Sequence, residues 1–307
     1  MRVVFMGTPA FSVPCLERLV SDGYDVVGVF TQPDKPKGRG KQLAAPPVKE
    51  AAQRHSIPVF QPRSMRDGEA LEILRRLSPD VVIVTAFGKI LPPEILNFPK
   101  YGCINIHASL LPRYRGAAPI QWCVLNGETV TGVTSMQMDA GLDTGDMLLF
   151  AETPIGENTT AGELHDTLSA LGAKVLSETL AALQAGTLSP QKQDDALSNY
   201  APMLTKELCP LDFTKPARQV HDRVRGLYPW PIATLTVDGK LLKVHDSVLC
   251  DDAGGKPGEV MESGRRFVVS CGDGKCIELR SVQAQGKKAM PAADFLRGNP
   301  IKKGTVL

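Results

Sequence analysis

Membrane-length apolar runs, paired cysteines and nucleotide-loop glycines are all missing from this 307-residue chain. Its longest apolar run, VVIVTAF over 81–87, is strand-sized, whereas a spanning helix needs ~20 such residues. No membrane partner is expected. MRVVFM runs straight into Gly7, too short for the apolar stretch of a secretory leader. The seven cysteines are odd in number and form no Cys-x-x-Cys pair, which argues against disulfides and structural zinc and for a reducing, cytoplasmic compartment. Gly7-Thr8-Pro9-Ala10-Phe11 stands where a dinucleotide fold would carry Gly-x-Gly-x-x-Gly, yet only the first glycine is there, and Gly-Lys-Ser/Thr occurs nowhere. NAD and ATP sites are therefore not expected. With 43% apolar residues and 22% charged ones, disorder and collagen-like repeats are excluded too.

What is present alternates. RVVFM at 2–6 is a β-branched run, and 9–20 follows with helical spacing, Thr8 as its N-cap and Pro9 at N1. Strand signals recur at 25–30, 80–87, 102–107 and 130–138, and helical ones at 47–55, 68–77 and 161–186. The alternation predicts an α/β domain with a doubly wound, mostly parallel, Rossmann-like sheet over 1–189, whose ligands bind outside the carboxyl ends of the strands. After a weakly periodic linker at 190–206, one helix at 215–227 is followed by short strand-like runs separated by turns such as Asp238-Gly239 and Asp273-Gly274. That pattern predicts a small, OB-like β-barrel over 207–307. Residues 1–189 carry 17 basic and 19 acidic side chains, and 190–307 carry 18 and 14, so the net charge of +2 hides a mildly basic second half. Such an excess suits a polyanion, or an ordinary solvated surface.

The most specific stretch is NIHASLLPRYRG, 105–116. Asn105 and His107 are two apart at the end of a strand, so both leave one face at the carboxyl edge, where an amide donor would work beside an imidazole. A histidine so placed is also often a satisfied structural group. DAGLDTGD at 139–146 follows another strand. It reads as a polar loop, or as the source of a carboxylate that orients His107; a calcium loop lacks its twelfth-position Glu. Between the strand at 25–30 and the helix at 47–55, residues 31–49 hold five basic residues, one acidic residue, four prolines and two glycines, where such folds usually need ~2 to 6 residues. The remaining histidines have no ligand spacing.

Taken together, Asn-x-His-x-Ser-Leu-Leu-Pro with its downstream Asp, Met6-Gly7-Thr8-Pro9, Thr31-Gln32-Pro33-Asp34, Ala86-Phe87-Gly88-Lys89-Ile90-Leu91-Pro92 and Leu227-Tyr228-Pro229-Trp230-Pro231 make the chain resemble the 10-formyltetrahydrofolate-dependent formyltransferases along nearly its whole length. Within them it is most similar to the branch acting on methionyl initiator tRNA. The resemblance implies that Asn105, His107 and Asp143 are catalytic. It implies that Ser109, Leu110, Leu111 and Pro112 hold the folate, and that Phe87, Gly88 and Leu91 belong to the loop lining the pterin pocket. It also implies that the basic loop, with Lys35, Lys37, Arg39 and Lys41, enters the tRNA acceptor end, Arg39 foremost. The expected co-substrate is 10-formyltetrahydrofolate, with no metal, and the expected assembly is a monomer. A sister enzyme formylating an amino-sugar nucleotide would share the catalytic residues but have less use for the basic loop. A non-catalytic RNA-binding protein would not need them at all.

Overall fold

A computed structural model describes residues 1–37 and 42–307. Arg39 and Lys41 fall outside the described residues, and Lys37 is described only in its backbone. The chain divides into two units. The first comprises Met1–Gly116, Thr131–Thr153 and His165–Tyr200; the second comprises Ala117–Val130, Pro154–Leu164 and Ala201–Leu307.

The first unit contains β1 (Arg2–Gly7), α1 (Val13–Ser21), β2 (Asp25–Phe30), a small hairpin of β3 (Lys35–Lys37) and β4 (Gln42–Ala44), α2 (Pro47–Arg54), β5 (Val59–Phe60), α3 (Glu69–Leu77), β6 (Val81–Thr85), α4 (Pro93–Leu96), β7 (Cys103–His107) and β8 (Arg115–Gly116). After α5 (Pro119–Leu125), which belongs to the second unit, come β9 (Val130–Gln137), β10 (Met147–Pro154) and the long α6 (Ala161–Ala185). Seven strands form one sheet in the order β10-β9-β7-β6-β1-β2-β5. The pairs among β7, β6, β1, β2 and β5 are parallel, and β9 joins β7 antiparallel. Residues Val3–Met6 and Val81–Ile83 are fully buried, as a strand covered on both faces requires. The chain runs outward from β1 on one side and returns to β6 on the other, so the order reverses between β1 and β6. A crevice at their carboxyl ends is the topological place for a ligand in such a sheet.

The helix expected from Pro9 begins later. Residues Ala10–Ser12 form a 3-10 turn, and Ser12 rather than Thr8 stands at the N-cap position of α1, without a side-chain capping bond. Thr8 is engaged elsewhere: its hydroxyl donates to the Phe87 carbonyl at 3.1 Å and accepts from Gln32 N at 3.3 Å. Gly7 is required for room, since a Cβ there would lie 2.9 Å from Ser12 Cβ and 3.0 Å from the Thr85 carbonyl.

After β11 (Tyr200–Ala201), which lies at the boundary between the units, the second unit continues with α7 (Ala217–Gly226), β12 (Ala233–Val237), β13 (Lys240–Cys250), β14 (Val260–Ser263), β15 (Phe267–Ser270), β16 (Cys276–Ala284), β17 (Met290–Pro291) and α8 (Ala292–Gly298). The antiparallel sheet runs β12-β13-β16-β15-β14, with β17 beside β16. Register shifts between Val244 and Ser247 mark a bulge in β13, which lets so long a strand curl. Its core gathers Val220, Val224, Leu235, Val244, Phe267, Ile277, Leu279 and Phe295, and Trp122 and Leu125 of α5 pack on it.

Candidate active site

β7 reads CINIH and is buried except at its central residue, Asn105, which is half-buried. Among the described residues nothing hydrogen-bonds to the Asn105 side-chain amide, so both its donors and its oxygen remain open to a ligand. Two residues on, His107 is only 6% exposed. Its Nε2 lies 2.9 Å from the Tyr114 carbonyl, which can only accept, so Nε2 carries a proton. Nδ1 faces Asp143 Oδ2 at 3.7 Å. That separation is long for a hydrogen bond, yet a proton arriving at Nδ1 would point at a carboxylate.

Asp143 lies in the loop joining β9 to β10, in the left-handed backbone region at φ 54°. Of the three aspartates in DAGLDTGD, Asp139 folds the turn, accepting from Gly141 N at 3.0 Å and the Thr144 hydroxyl at 2.8 Å. Asp146 closes the loop base through its carbonyl, which accepts from Gln137 N at 2.8 Å. Asp143 alone reaches the histidine, and its Oδ2 also accepts from Gly116 N at 2.8 Å. Gly145 must be glycine, because a Cβ there would run into the Gln137 carbonyl oxygen.

The segment after β7 is pinned to β9 by Thr134, whose hydroxyl donates to the Ser109 carbonyl at 2.7 Å and accepts from Leu111 N at 3.1 Å. Ser109 is fully buried and donates to the Arg113 carbonyl at 2.6 Å; Leu111 is nearly buried, while Leu110 and Pro112 are half-exposed. On the neighbouring rim, Phe87 and Leu91 turn their side chains into the core with Val84 and Ile95, so only their backbones face outward chemistry. The Gln32 side-chain amide donates to the Phe87 and Gly88 carbonyls at 3.2 and 3.3 Å. Gly88, at φ 75°, lies so close to that amide that a Cβ would collide with it. Lys35 is exposed and donates to Gln32 Oε1 at 2.8 Å. The foot of the basic loop is tied by Lys49, which bonds Asp34 at 2.8 Å and Gln61 at 2.9 Å. That contact holds the Asp34 carboxyl below its ordinary range.

Cys103, at the other end of β7, is fully buried, and burial pushes its thiol up to about 12, which removes it as a nucleophile near neutrality. Among the described residues no group of three or more His, Cys, Asp or Glu is arranged to hold a metal ion, and no helix is long and apolar enough to cross a membrane.

Sequence patterns give no sign of the residues around His107 and Asp143 that act through the backbone. Gln193 Nε2 donates to the carbonyls of Asp143 at 2.8 Å and Gly145 at 2.7 Å, and its Oε1 accepts from Arg115 Nε at 3.0 Å. The Asn199 side-chain oxygen accepts from Tyr114 N.

A family model described as formyl transferase matches residues 1–180, and a second, described as formyl transferase C-terminal domain, matches 203–300. The chain belongs to the formyl transferase family. A methionyl-tRNA formyltransferase of Geobacter sulfurreducens is 52% identical over 308 residues, covering 100% of this chain and 96% of the relative. One from Ruminiclostridium cellulolyticum is 49% identical, with 100% and 99% covered. Among solved structures, this formyl transferase superposes on an N-formyltransferase of Helicobacter canadensis, crystallised with folinic acid and dTDP-3-aminofucose, with a TM-score of 0.72 at 22% identity, covering 92% of this chain and 98% of that one. It likewise matches HypX of Aquifex aeolicus, solved with tetrahydrofolic acid, with a TM-score of 0.66 at 18% identity over 96% of this chain and 47% of the other. Structural neighbours of this family member thus bind folate derivatives.

Proposed function

We propose that the protein is a cytoplasmic enzyme that transfers the formyl group of 10-formyltetrahydrofolate to the α-amino group of methionyl initiator tRNA. The observation that carries the chemistry is His107, held between a carbonyl and a carboxylate, with the open Asn105 amide two residues away on the same strand. The choice of acceptor rests on relatives about half identical over the full chain.

The folate co-substrate supplies a formyl carbon bound to a nitrogen that can leave. Asn105 donates to the formyl oxygen as negative charge gathers there, a role worth most in a site that excludes water. His107 takes a proton from the attacking methionyl amine at Nδ1, where Asp143 balances the imidazolium, and returns it to the departing nitrogen. Ser109–Pro112 and the rim carrying Phe87, Gly88 and Leu91 hold the folate. The basic loop, with Lys35, Lys37, Arg39 and Lys41, contacts the acceptor end, and the positively charged second half adds to tRNA capture.

Formylation of methionyl initiator tRNA by the purified protein, dependent on added folate donor, is the expected result. Transfer to a UDP-amino sugar instead, or no transfer to either, would overturn the reading. Within it, Arg39→Ala should raise the apparent KM for charged tRNA while leaving folate affinity unchanged. Neutralising the flanking lysines should flatten the log-log salt dependence of tRNA binding by about 0.7 to 0.9 per lost phosphate contact. Unaltered tRNA kinetics and salt slope would remove the loop from the interface.

A further inference from the structure

Two residues on which His107 depends have backbones that need support. Asp143 at φ 54° and Tyr114 at φ 60° both occupy the left-handed region, which side chains with a Cβ rarely adopt unless their neighbours hold them there. Residues 193–199 touch both of them.

We infer that Gln193 and Asn199 are positioning residues for the His107–Asp143 pair, Gln193 by fixing the turn that carries Asp143 and Asn199 by fixing the Tyr114 backbone whose carbonyl orients the imidazole. The inference rests on the reading of His107 and Asp143 above. Neither residue touches the reacting atoms.

The chemistry at each position fixes which end of the amide does the work. Arg115 has only donors, and it approaches Gln193 through Nε at 3.0 Å and a terminal nitrogen at 2.8 Å. The Gln193 oxygen must therefore face Arg115, and its NH2 group must face the carbonyls of Asp143 and Gly145. Arg115 is itself steadied by Asp195 at 2.8 Å. At Asn199 the partner is an N–H, so the side-chain oxygen is the working end, and the next link is the backbone bond from Arg115 N to the Asn199 carbonyl at 3.1 Å. Position 193 thus requires a donor and position 199 requires only an acceptor.

Exchanging amide for acid should consequently have opposite results at the two positions. Gln193→Glu keeps Arg115 but turns a carboxylate oxygen toward two carbonyls. Its kcat should fall about 10-fold, with KM for charged tRNA and for folate donor within about threefold of wild type. Asn199→Asp keeps the acceptor and should stay within about threefold in kcat, whereas Asn199→Ala should lose more. In an Asp143→Asn background the Gln193→Glu exchange should add less than about twofold, because the carboxylate it positions is gone. Histidine ring-nitrogen NMR gives a readout independent of turnover: the His107 signals should move in Gln193→Glu and stay in Asn199→Asp. Gln193→Met removes the bonds to the two carbonyls without adding charge, giving up the Arg115 contact as well, and replaces Gln193→Glu if that variant fails to fold.

A Gln193→Glu enzyme with kcat within twofold of wild type, a loss confined to KM, or a loss repeated in full on Asp143→Asn would overturn the inference for Gln193. An Asn199→Asp as damaged as Asn199→Ala would overturn it for Asn199. A wild-type protein that formylates nothing, but whose His107 signals respond as described, would sink the functional reading and leave the positioning intact.

Discussion

His107 is held through Nε2 by the Tyr114 carbonyl and faces Asp143 with Nδ1, so its two neighbours can be altered separately. Asp143→Asn retains an oxygen that can accept from Gly116 N, so the loop should keep its shape, but a neutral amide cannot balance an imidazolium. We expect turnover to fall on the order of 10²-fold or more in Asp143→Asn and in His107→Ala, with substrate KM values moving far less. Thermal melting of Asp143→Asn should change by no more than about 2 °C. Turnover near wild type in either variant would remove that residue from the mechanism. At this scale the sequence was legible where residues lie close together on one strand: Asn105 and His107 share a face because strand side chains alternate. Gln193 and Asn199 were not. They act on backbone groups 50 and 85 residues away in the chain, and no local pattern encodes a bond to a distant carbonyl or N–H.

α7 shows what an element hides behind its periodicity. His221 is 1% exposed, with Nε2 facing the Glu157 carbonyl at 3.2 Å and Nδ1 facing the Ser247 hydroxyl at 3.0 Å. Desolvation by burial, aided by Arg225 and Arg218 and opposed by the Glu157 carbonyl and Asp222, lowers its pKa below 6.5. A depressed folded-state value means that the unfolded chain binds the proton more readily. The stability contributed by neutral His221 is therefore present above pH 6.5 and is lost as pH falls through the lower folded value. Urea midpoints at pH 7.5 and 5.5 should differ by less in His221→Gln than in wild type; an equal difference would show that another group dominates. Most strands and long helices of both units were expected from apolar runs and helical spacing. The two-residue β5 is too short to carry a pattern. β10 buries Leu148 alone, otherwise has half-buried and exposed residues and exposes Phe150, so its pattern is weak. The delayed start of α1 escaped because Thr8 serves the sheet rim, a choice made by Phe87 and Gln32 far along the chain.

Over the whole molecule, the division into units does not follow a single cut. Ala117–Val130 and Pro154–Leu164 belong with residues after 200. The Trp122 indole donates to the Pro202 carbonyl at 2.8 Å, and a Cβ at Gly226 would lie 2.8 Å from Leu125 Cγ, so α5 and α7 meet at a glycine. A chain ended after Ser189 would lose Gln193 and Asn199 and leave the apolar side of α5 uncovered. We expect such a fragment to bind hydrophobic dyes and to melt without a sharp transition. A fragment of residues 1–200 should differ only in regaining the support around Asp143. A dye-silent, cooperatively melting 1–189 fragment would contradict this. The same weaving bears on biosynthesis. At ~5 to 20 residues per second, the roughly 90 residues between α5 and α7 take about 5 to 20 s to emerge from the ribosome. For that interval α5 is a nascent, mostly apolar segment waiting for a partner not yet translated, available to a chaperone or to another growing copy on the same messenger.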